Sequence, residues 1–448
     1  MWACWHSNIH SSWLILTICL TFVSGVIAAQ YVDQALFSST TWLFVAIILA
    51  IIGFYFRSVS MLVCIVIAGC VGGLWRGSVD QVNLSVYQNI TGNVAIVRGV
   101  VSEDVDSNQR GQKVVRLHDV LIDDHAVAGK IWVTIGTKAD IKRSDILTVR
   151  GKVKDGFGNF SVTIYSATLQ SIDRPYPGDV ALRIRDWFAD HIRLAISDPQ
   201  AALGIGYLVG QRRALPPELD QALQIAGLTH VVVASGYNLT ILVRLARRLF
   251  VRISKYASVM AASGMVVSFM AVTGMSPSMS RAGLVAGLSL LAWYYGRKFH
   301  PLVLLSFAAA VTVLINPGYA WGDLGWQLSF AAFGGVMILA PLGQAYFYGS
   351  KKPGTIRQIL GETIAAQIAT LPILVLAFSQ FSNVAVIANA LVLPLVPLAM
   401  LLTFIAGVVA IIAPAAATLL SLEFWRLLQL SRLMEFKTVA INQLRRAT

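Results

Sequence analysis

Long apolar segments separated by short polar turns occupy the first and last parts of the chain. The first three segments cover residues 13–29, 41–56 and 59–75. Each approaches the length of about 17–25 residues that a transmembrane helix needs. The pattern therefore predicts that residues 1–78 form an N-terminal segment of three membrane helices.

Between residues 79 and 178 the pattern changes, because apolar and polar residues alternate and the charges are interspersed. Alternation of this kind predicts strands, and glycine, asparagine and aspartate fill the segments between them. The five predicted strands are 94–101, 113–121, 130–135, 146–153 and 160–169. Five short strands in so small a domain favour a Greek-key barrel of the OB type.

The third part, residues 179–448, returns to apolar segments. It opens with an amphipathic helix over 180–196, a pattern typical of helices that lie at a membrane surface. The next two apolar segments, 201–210 and 222–226, are too short to span a bilayer. They indicate re-entrant or discontinuous helices, which are tolerated where protein or water shields the backbone.

Longer apolar segments then alternate with basic connections. The predicted spans are 228–243, 257–275, 282–296, 299–315, 325–340 and 360–378. Residues 384–412 contain Pro394 and Pro397, so they form either one kinked span or a tight hairpin. The predicted fold class is a polytopic α-helical membrane protein with an inserted small β-barrel domain that is water-soluble.

Composition agrees with this fold class, since 56% of the 448 residues are hydrophobic and 13% are charged. Soluble domains are about 45–50% apolar and about 25% charged. The net charge is +13, and residues 179–448 supply +11 of it, from 21 basic and 10 acidic residues. Every strongly basic connection falls on one side, which the positive-inside rule places in the cytoplasm. We therefore expect a protein of the cytoplasmic membrane with both termini in the cytoplasm and the barrel outside.

The basic residues also suggest where an anionic partner would bind, although loop topology alone explains most of the excess of basic over acidic residues. A cytoplasmic phosphate-attracting patch is predicted after the span at 228–243, and it consists of Arg244, Arg247, Arg248 and Arg252. In the barrel, basic and aromatic neighbours are typical of surfaces that bind single strands. These neighbours are Lys152, Lys154, Phe157 and Phe160. Ordinary hairpin packing explains the two phenylalanines equally well.

Several polar or small residues interrupt the apolar spans of the third part. Polar groups at membrane depth face a bundle interior, a cavity or a substrate path, or else they hold helices together. The nearby proline and glycine breaks favour a polar cavity. The residues concerned are His230, Ser235, Gly236, Tyr237, Asn238, Arg281, Gln327, Gln367 and Asn389.

No familiar catalytic motif is present, so the sequence predicts no enzyme, no catalytic residue, no metal site and no cofactor. A P-loop is missing, and the chain itself should therefore not hydrolyse ATP. The four cysteines form no C-x-x-C motif and are interpreted as small buried hydrophobic residues. One enzymatic alternative remains, an intramembrane serine hydrolase that uses Ser235 and His230. A base must reach its nucleophile within a hydrogen bond, and five residues of regular helix separate these two.

Several motifs occur in the order in which the ComEC competence family has them, and the chain resembles that family over nearly its whole length. The motifs are ALG at 202–204, LVGQRR at 208–213, LPPEL at 215–219, AGLTHVVVASG at 226–236, SPS at 276–278, WQLSF at 326–330, AQIATLP at 366–372 and ANALVLP at 388–394. In the insert, GKIWVTI at 129–135 and ILTVRG at 146–151 resemble the OB-like domain of the same family.

The resemblance implies a channel that carries one strand of incoming DNA across the cytoplasmic membrane during natural transformation. It implies that the interrupting polar residues lie in or near the DNA path. The expected partners are single-stranded DNA, the lipid bilayer, a separate DNA receptor and a cytoplasmic motor, and homo-oligomers stay open. A transporter of another anionic solute or of a lipid-linked precursor is the alternative.

Two departures from the family pattern change the expectations. Tyr237 and Asn238 stand where the family has leucine and histidine, so proton chemistry is replaced by stacking and hydrogen bonding at these positions. We also expect a short form without the C-terminal metallo-β-lactamase-like domain of many members, because no H-x-H-x-D-H cluster occurs. A separate nuclease would then degrade the other strand.

Overall fold

The structure is a computed structural model of the chain. It describes residues 9–108, 110–123, 125–211, 215–225, 227–228, 236–274, 277–296, 300–349, 354–378, 385–392 and 395–413. Along the described chain an N-terminal helical segment is followed by a β-barrel and then by a larger helical domain, which we define as residues 179–413.

Small residues bring the helices of the N-terminal segment together. The helices among the described residues are α1 (Ser11–Ala28), α2 (Gln34–Phe37), α3 (Thr40–Phe56) and α4 (Leu62–Leu84). A Cβ at Gly73 would overlap the carbonyl oxygen of Phe22, and one at Gly69 would overlap the side chain of Thr21. Glycines therefore allow α1 and α4 to pack backbone against backbone, as apolar helix pairs commonly do.

Helix α4 continues nine residues beyond residue 75, where the apolar pattern ends. The prediction of its end is wrong because polar residues on the added turns find partners. Arg76 pairs with Asp80 at 3.5 Å and donates hydrogen bonds to the carbonyls of Leu314 at 2.8 Å and Ile315 at 3.0 Å. These contacts tie α4 to the end of a helix in the helical domain.

The predicted five-stranded barrel is confirmed, and two short strands are added to it. The strands are β1 (Val94–Val101), β2 (Asp106–Ser107), β3 (Lys113–Ile122), β4 (His125–Val127), β5 (Ile131–Ile135), β6 (Ile146–Asp155) and β7 (Val162–Asp173). The order β1-β6-β7-β5-β3 closes because β3 also pairs with β1. Strands β5 and β7 are parallel, and the other long pairs are antiparallel. Inward side chains such as Val97, Leu117 and Ile164 are fully buried.

The helical domain contains twelve helices among the described residues. They are α5 (Val180–Ala195), α6 (Gln200–Val209), α7 (Pro217–Ile225), α8 (Gly236–Phe250), α9 (Lys255–Thr273), α10 (Pro277–Tyr294), α11 (Pro301–Ile315), α12 (Gly318–Gly322), α13 (Leu324–Tyr348), α14 (Thr355–Phe378), α15 (Ala385–Val392) and α16 (Val396–Ile412). One core joins α5, α6 and α16 through residues such as Ile192, Ile205 and Met400. Another joins α8, α9 and α10 through Leu239 and Met279.

Five helical stretches within the described residues are long and apolar enough to cross a membrane. They are Ser11–Tyr31, Leu62–Asn89, Lys255–Thr273, Leu324–Tyr348 and Arg357–Ala377. Shorter apolar helices are Thr40–Phe56, Gln200–Val209, Pro301–Ile315 and Val396–Ile412. Their outward side chains are apolar, as Val267 and Leu376 illustrate with exposed fractions of 68% and 86%. A surface of this kind suits a hydrocarbon surrounding.

In the regions 384–412 and 228–243 the described helices do not follow a single predicted span. The prediction for 384–412 left two options, and the described chain there forms two helices, α15 and α16. The other region is 228–243, where the described helix begins at Gly236 and continues to Phe250. Arg244, Arg247 and Arg248 therefore lie within α8 and make it amphipathic. Residues 229–235 lie outside the described residues, so a full crossing at this point stays a prediction.

Candidate functional site

A buried ion pair fixes the barrel to one end of the helical domain. Arg143, between β5 and β6, is 8% exposed and donates hydrogen bonds to the carboxylate of Asp179 and, at 2.9 Å, to the carbonyl of Ala271. Asp179 also accepts from the backbone N–H of Leu182 at 2.9 Å. Burial raises the pKa of Asp179, but the hydrogen bonds and the Arg143 charge outweigh it and hold that pKa below its ordinary value.

A second buried arginine and a close backbone contact strengthen this attachment. Arg185 of α5 is 3% exposed and contacts the carboxylates of Asp104 in the barrel and of its neighbour Asp186. Gly158, between β6 and β7, packs against Gly322 of α12, and a Cβ on either would crowd the other's carbonyl oxygen. We call the end of the helical domain that makes these contacts the barrel end.

An aromatic cluster lies on the barrel beside this contact, and it consists of Trp132, Phe157 and Phe160. The Trp132 centroid is 5.3 Å from that of Phe157 and 5.1 Å from that of Phe160. Phe157 is nevertheless 47% exposed. The structure thus brings the two predicted phenylalanines together and adds Trp132. The rings pack on one another and still offer an accessible aromatic edge.

Two cations lie near aromatic rings of the barrel, and one of them, Arg116, also pairs with the carboxylates of Glu103 and Asp106. The Arg116 guanidinium lies 5.2 Å from the Trp132 centroid, and the Lys154 ammonium lies 5.4 Å from the Tyr165 ring. Lys152 is exposed on the same strand as Lys154. This part of the barrel therefore has both components that a surface for single strands needs, positive charge and stacking faces.

Arg281 is the centre of a contact among three helices. Its guanidinium donates to the carbonyl of Ser329 at 2.9 Å and lies 5.4 Å and 5.8 Å from the ring centroids of Phe330 and Phe333. A Cβ at Gly236 would lie 3.5 Å from Arg281 Nη2. The structure thus brings two predicted path residues, Gly236 and Arg281, together. Phe330 and Phe333 also belong to this contact and were not predicted to. In the sequence, their spacing of three residues indicates only that they share a helix face.

The four predicted amide side chains fall into two groups. Asn238 donates to the carbonyl of Tyr207 at 3.0 Å, and Gln327 donates to the carbonyls of Ala320 and Trp321 at 3.1 Å each. Both therefore hold helices together. The side-chain oxygens of Gln367 and Asn389 are buried and have no hydrogen-bond partner among the described residues. Such oxygens are costly in a protein interior unless water or a ligand reaches them.

Three further predicted positions lie beyond what the structure allows to be described. His230 and Ser235 fall outside the described residues. The backbone of Tyr237 is helical, but nothing is stated of its side chain. Their assignment to a DNA path stays a prediction.

The predicted arginine patch forms a pocket. Arg244, Arg247 and Arg248 line a cavity of about 260 Å³ together with Val251 and Trp293. We call this cavity the arginine pocket. The fourth predicted member, Arg252, is exposed nearby but does not line it. Trp293 was not predicted, although an aromatic residue next to a basic connection at a helix end is a usual interfacial signal.

Two cations of the arginine pocket lie within cation–π distance of the Trp293 ring. The Arg247 guanidinium lies 4.3 Å from the Trp293 centroid, and the Lys255 ammonium lies 5.6 Å from it. Among the described residues, neither these two cations nor Arg244 and Arg248 form an ion pair with a carboxylate. Positive charges that converge without neutralisation favour an anion such as a phosphate.

The arginine pocket and the barrel end lie at opposite ends of α9. Ser258, in its first turn, donates to the carbonyl of Arg247 at 3.2 Å, whereas Ala271, near its last residue, accepts from Arg143. Thirteen residues of α-helix separate these contacts, which corresponds to about 20 Å at 1.5 Å per residue.

No candidate metal site is found in the described part of the chain. These residues contain no group of three or more His, Cys, Asp or Glu side chains placed to hold an ion.

Fold and site together define a multi-helix protein with long apolar helices, a docked barrel and an unneutralised cationic pocket. The chain belongs to the competence protein family, whose model, described as "Competence protein", matches residues 207–446. This match covers more than half of the chain and includes the arginine pocket and Arg281. It confirms the resemblance that the sequence motifs carry.

Two other proteins are similar to the chain over about half of its length. The chain is 29% identical to ComE operon protein 3 of Bacillus subtilis (strain 168) over 203 residues, which are 45% of this chain and 25% of that protein. It is 24% identical to an uncharacterized protein of Aquifex aeolicus (strain VF5) over 215 residues, or 48% and 49% of the two chains. The chain thus matches a quarter and about half of these relatives. No solved structure matches it.

Proposed function

We propose that this protein is a polytopic protein of the cytoplasmic membrane that carries single-stranded DNA across it during natural transformation. The arginine pocket is the observation that carries the proposal, because its cations have no carboxylate partner among the described residues. Phosphates need such cations, and aromatic faces accept any base. Family membership and the similarity to ComE operon protein 3 agree with a role in competence.

In this proposal the barrel is extracytoplasmic and the arginine pocket faces the cytoplasm, as do both termini. The positive-inside rule supports this orientation, since the unneutralised cations gather at the end of α9 that is farthest from the barrel. The closed Greek-key order of five strands supports an OB fold for the barrel. The aromatic cluster with Lys152 and Lys154 would meet the strand first.

The strand would then follow the polar residues of the helical domain. Arg281, Gln367 and Asn389 are the best-supported members of this path, since each carries a buried polar atom for which the described residues supply no hydrogen-bond partner. Gly236 would let α8 approach α10 at Arg281, while Asn238 and Gln327 would fix the surrounding helices. The arginine pocket would finally attract the emerging strand, with Arg252 at its margin.

The proposal requires other components and no catalytic residue, metal or cofactor in this chain. A DNA receptor outside, a nuclease for the other strand and a motor in the cytoplasm would be separate proteins. The bilayer is the remaining partner, and a homo-oligomer is compatible with the exposed apolar faces. An intramembrane hydrolase is not carried forward, because Ser235 and His230 lie outside the described residues.

Uptake of labelled DNA tests the proposal. The gene is deleted in the organism that encodes it, and the strain is complemented with the wild-type gene or with the variant Arg244→Gln/Arg248→Gln. The deletion should abolish the arrival of label in the cytoplasm and leave surface binding intact. The pocket variant should reduce uptake at least tenfold, because two of its phosphate-binding charges are removed.

A variant with the same loss of charge serves as the control. Arg183→Gln/Arg193→Gln removes two charges from α5, away from the arginine pocket, and should take up DNA normally. Normal uptake in the deletion strain would refute the proposal. If uptake is normal and export or import of another anionic solute or of a lipid-linked precursor is lost, that alternative replaces DNA as the substrate.

A further inference from the structure

Among the described residues, few groups offer a partner to the charge of Arg281. A guanidinium has five N–H groups. Among the described residues Arg281 forms one hydrogen bond, to the Ser329 carbonyl, and no ion pair. Its Nε is buried without a partner. A cation within a bundle of apolar helices is costly unless an anion or water reaches it.

Two phenylalanine rings take the place of an anion in the structure. Phe330 and Phe333 lie on one face of α13, and both rings are within cation–π distance of Arg281. Phe330 is supported from behind by Trp326, whose ring centroid is 4.5 Å away. Trp326 is itself fixed by a hydrogen bond from its Nε1 to Thr312 Oγ1 at 2.9 Å. The ring pair is therefore held on a rigid base.

Three helices meet at this point, about one to two turns from the barrel end. Arg281 is the fifth residue of α10, and Phe330 is the seventh of α13, whose first residue follows the barrel contact at Gly322. The third helix is α8, whose first residue, Gly236, packs against α10: a Cβ at Gly236 would lie 3.0 Å from the Cβ of Ala282. A strand that enters beneath the barrel meets this group before it reaches the arginine pocket.

We propose that Arg281, Phe330 and Phe333 form a nucleotide-binding constriction that the rings close when no strand is present. The inference rests on the proposed function. A backbone phosphate replaces the ring faces as the partner of the guanidinium, because a charged, bidentate hydrogen-bond partner is stronger than an aromatic face. The released rings then stack on bases. Without a strand, the apposed apolar rings exclude water and so block small ions.

The purified full-length protein in vesicles of phosphatidylcholine and phosphatidylglycerol tests both parts. Proton leak is measured with an enclosed pH-sensitive dye in the absence of DNA, and binding of an oligo-dT strand is measured by fluorescence anisotropy. Phe330→Ala/Phe333→Ala should raise the leak at least tenfold. Arg281→Gln should weaken oligo-dT binding at least fivefold. Arg281→Lys, which keeps the charge but loses the planar fork, should weaken binding about threefold.

Tyr346→Ala/Phe347→Ala is the matched control, since it removes two exposed rings from the same helix and should behave like the wild type. A leak within twofold of wild type for a folded Phe330→Ala/Phe333→Ala protein overturns the inference, as does unchanged binding by both Arg281 variants. The leak assay contains no DNA, so it separates this inference from the proposed function. Wild-type protein that neither binds nor transports strands would refute the proposed function, even where the ring variant leaks.

Discussion

Arginines occur at both ends of the helical domain, but their surroundings differ. At the barrel end, Arg143 and Arg185 are almost fully buried and each contacts a carboxylate. In the arginine pocket, Arg244, Arg247 and Arg248 have no carboxylate partner among the described residues. Positive charge alone therefore does not identify an anion site. In the proposed function, the absence of a neutralising carboxylate separates the cations that bind DNA from those that fix the fold.

The two ends should respond differently to the loss of one arginine. A buried ion pair that loses one member leaves an uncompensated charge, and the fold becomes less stable. A cation in an open pocket repels its neighbours, so its removal does not harm the fold. The four changes below test this difference in order of decreasing effect.

Arg185→Met should be the most destabilising of these changes. It leaves Asp104 and Asp186 without the guanidinium that both contact. We expect a loss of about 3 kcal/mol, at the lower end for a broken buried pair because the carboxylates are partly exposed. Thermal unfolding of the solubilised protein measures the change, and Arg193→Met, whose pair with Asp190 is accessible, is the control. Equal stability of the two variants would contradict the assignment of Arg185 to docking.

Asp179→Asn should cost about 2 kcal/mol at neutral pH, since it removes the charge that Arg143 contacts and keeps a residue able to cap α5. The cost should depend on pH. The pKa of Asp179 is lower in the folded protein than its unfolded value of about 3.9. Its contribution is therefore complete above about pH 4 and is lost as pH falls through the folded pKa. The difference in stability between wild type and variant should shrink as pH falls below about 4, and a difference that does not change with pH would contradict this cause.

Much of the fold was predictable because alternation and apolar length are local signals. The five long strands and the helices over 13–29 and 41–56 needed only the order of apolar and polar residues. The end of α4 was not predictable, since the partners of Arg76 are carbonyls at Leu314 and Ile315. The two short strands were not predicted for a related reason. Strands β2 and β4 contain only two and three residues, and they depend on pairing with β3.

The sequence indicates candidate site residues but not what their side chains contact. Sequence placed Asn238, Gln327, Gln367 and Asn389 in one group because all are amides in apolar segments. In the structure Asn238 and Gln327 donate to main-chain carbonyls, and the side-chain oxygens of Gln367 and Asn389 have no partner in the part of the chain that is described. Hydrogen-bond partners come from distant parts of the chain, and an isolated sequence does not contain that information. Trp293 was missed although its place at a helix end, next to a basic connection, was a local signal.

Arg247→Gln should change stability by less than about 0.5 kcal/mol and weaken binding of single strands about fivefold, which corresponds to about 1 kcal/mol. The salt dependence should also fall, by about 0.7 in the slope of log K against log salt for each phosphate that the protein no longer neutralises. Fluorescence anisotropy with oligo-dT at several salt concentrations measures both. Arg252→Gln is the comparison, because this residue is near the arginine pocket but does not line it, and it should have the smaller effect. A larger effect of Arg252→Gln would mean that the binding surface lies outside the pocket.

Arg98→Gln should have the smallest effect on stability. It tests whether ion pairing or burial explains why arginines at the barrel end stabilise the fold more than those in the arginine pocket. Arg98 pairs with Asp173 at 3.6 Å, but both side chains are about half exposed. Exposed pairs contribute about 0–1 kcal/mol, because water solvates each partner when the other is removed. We therefore expect a stability change below about 0.5 kcal/mol by thermal unfolding. A loss comparable to that of Arg185→Met would show that pairing alone stabilises this protein, and burial would then no longer explain why the arginines of the barrel end fix the fold.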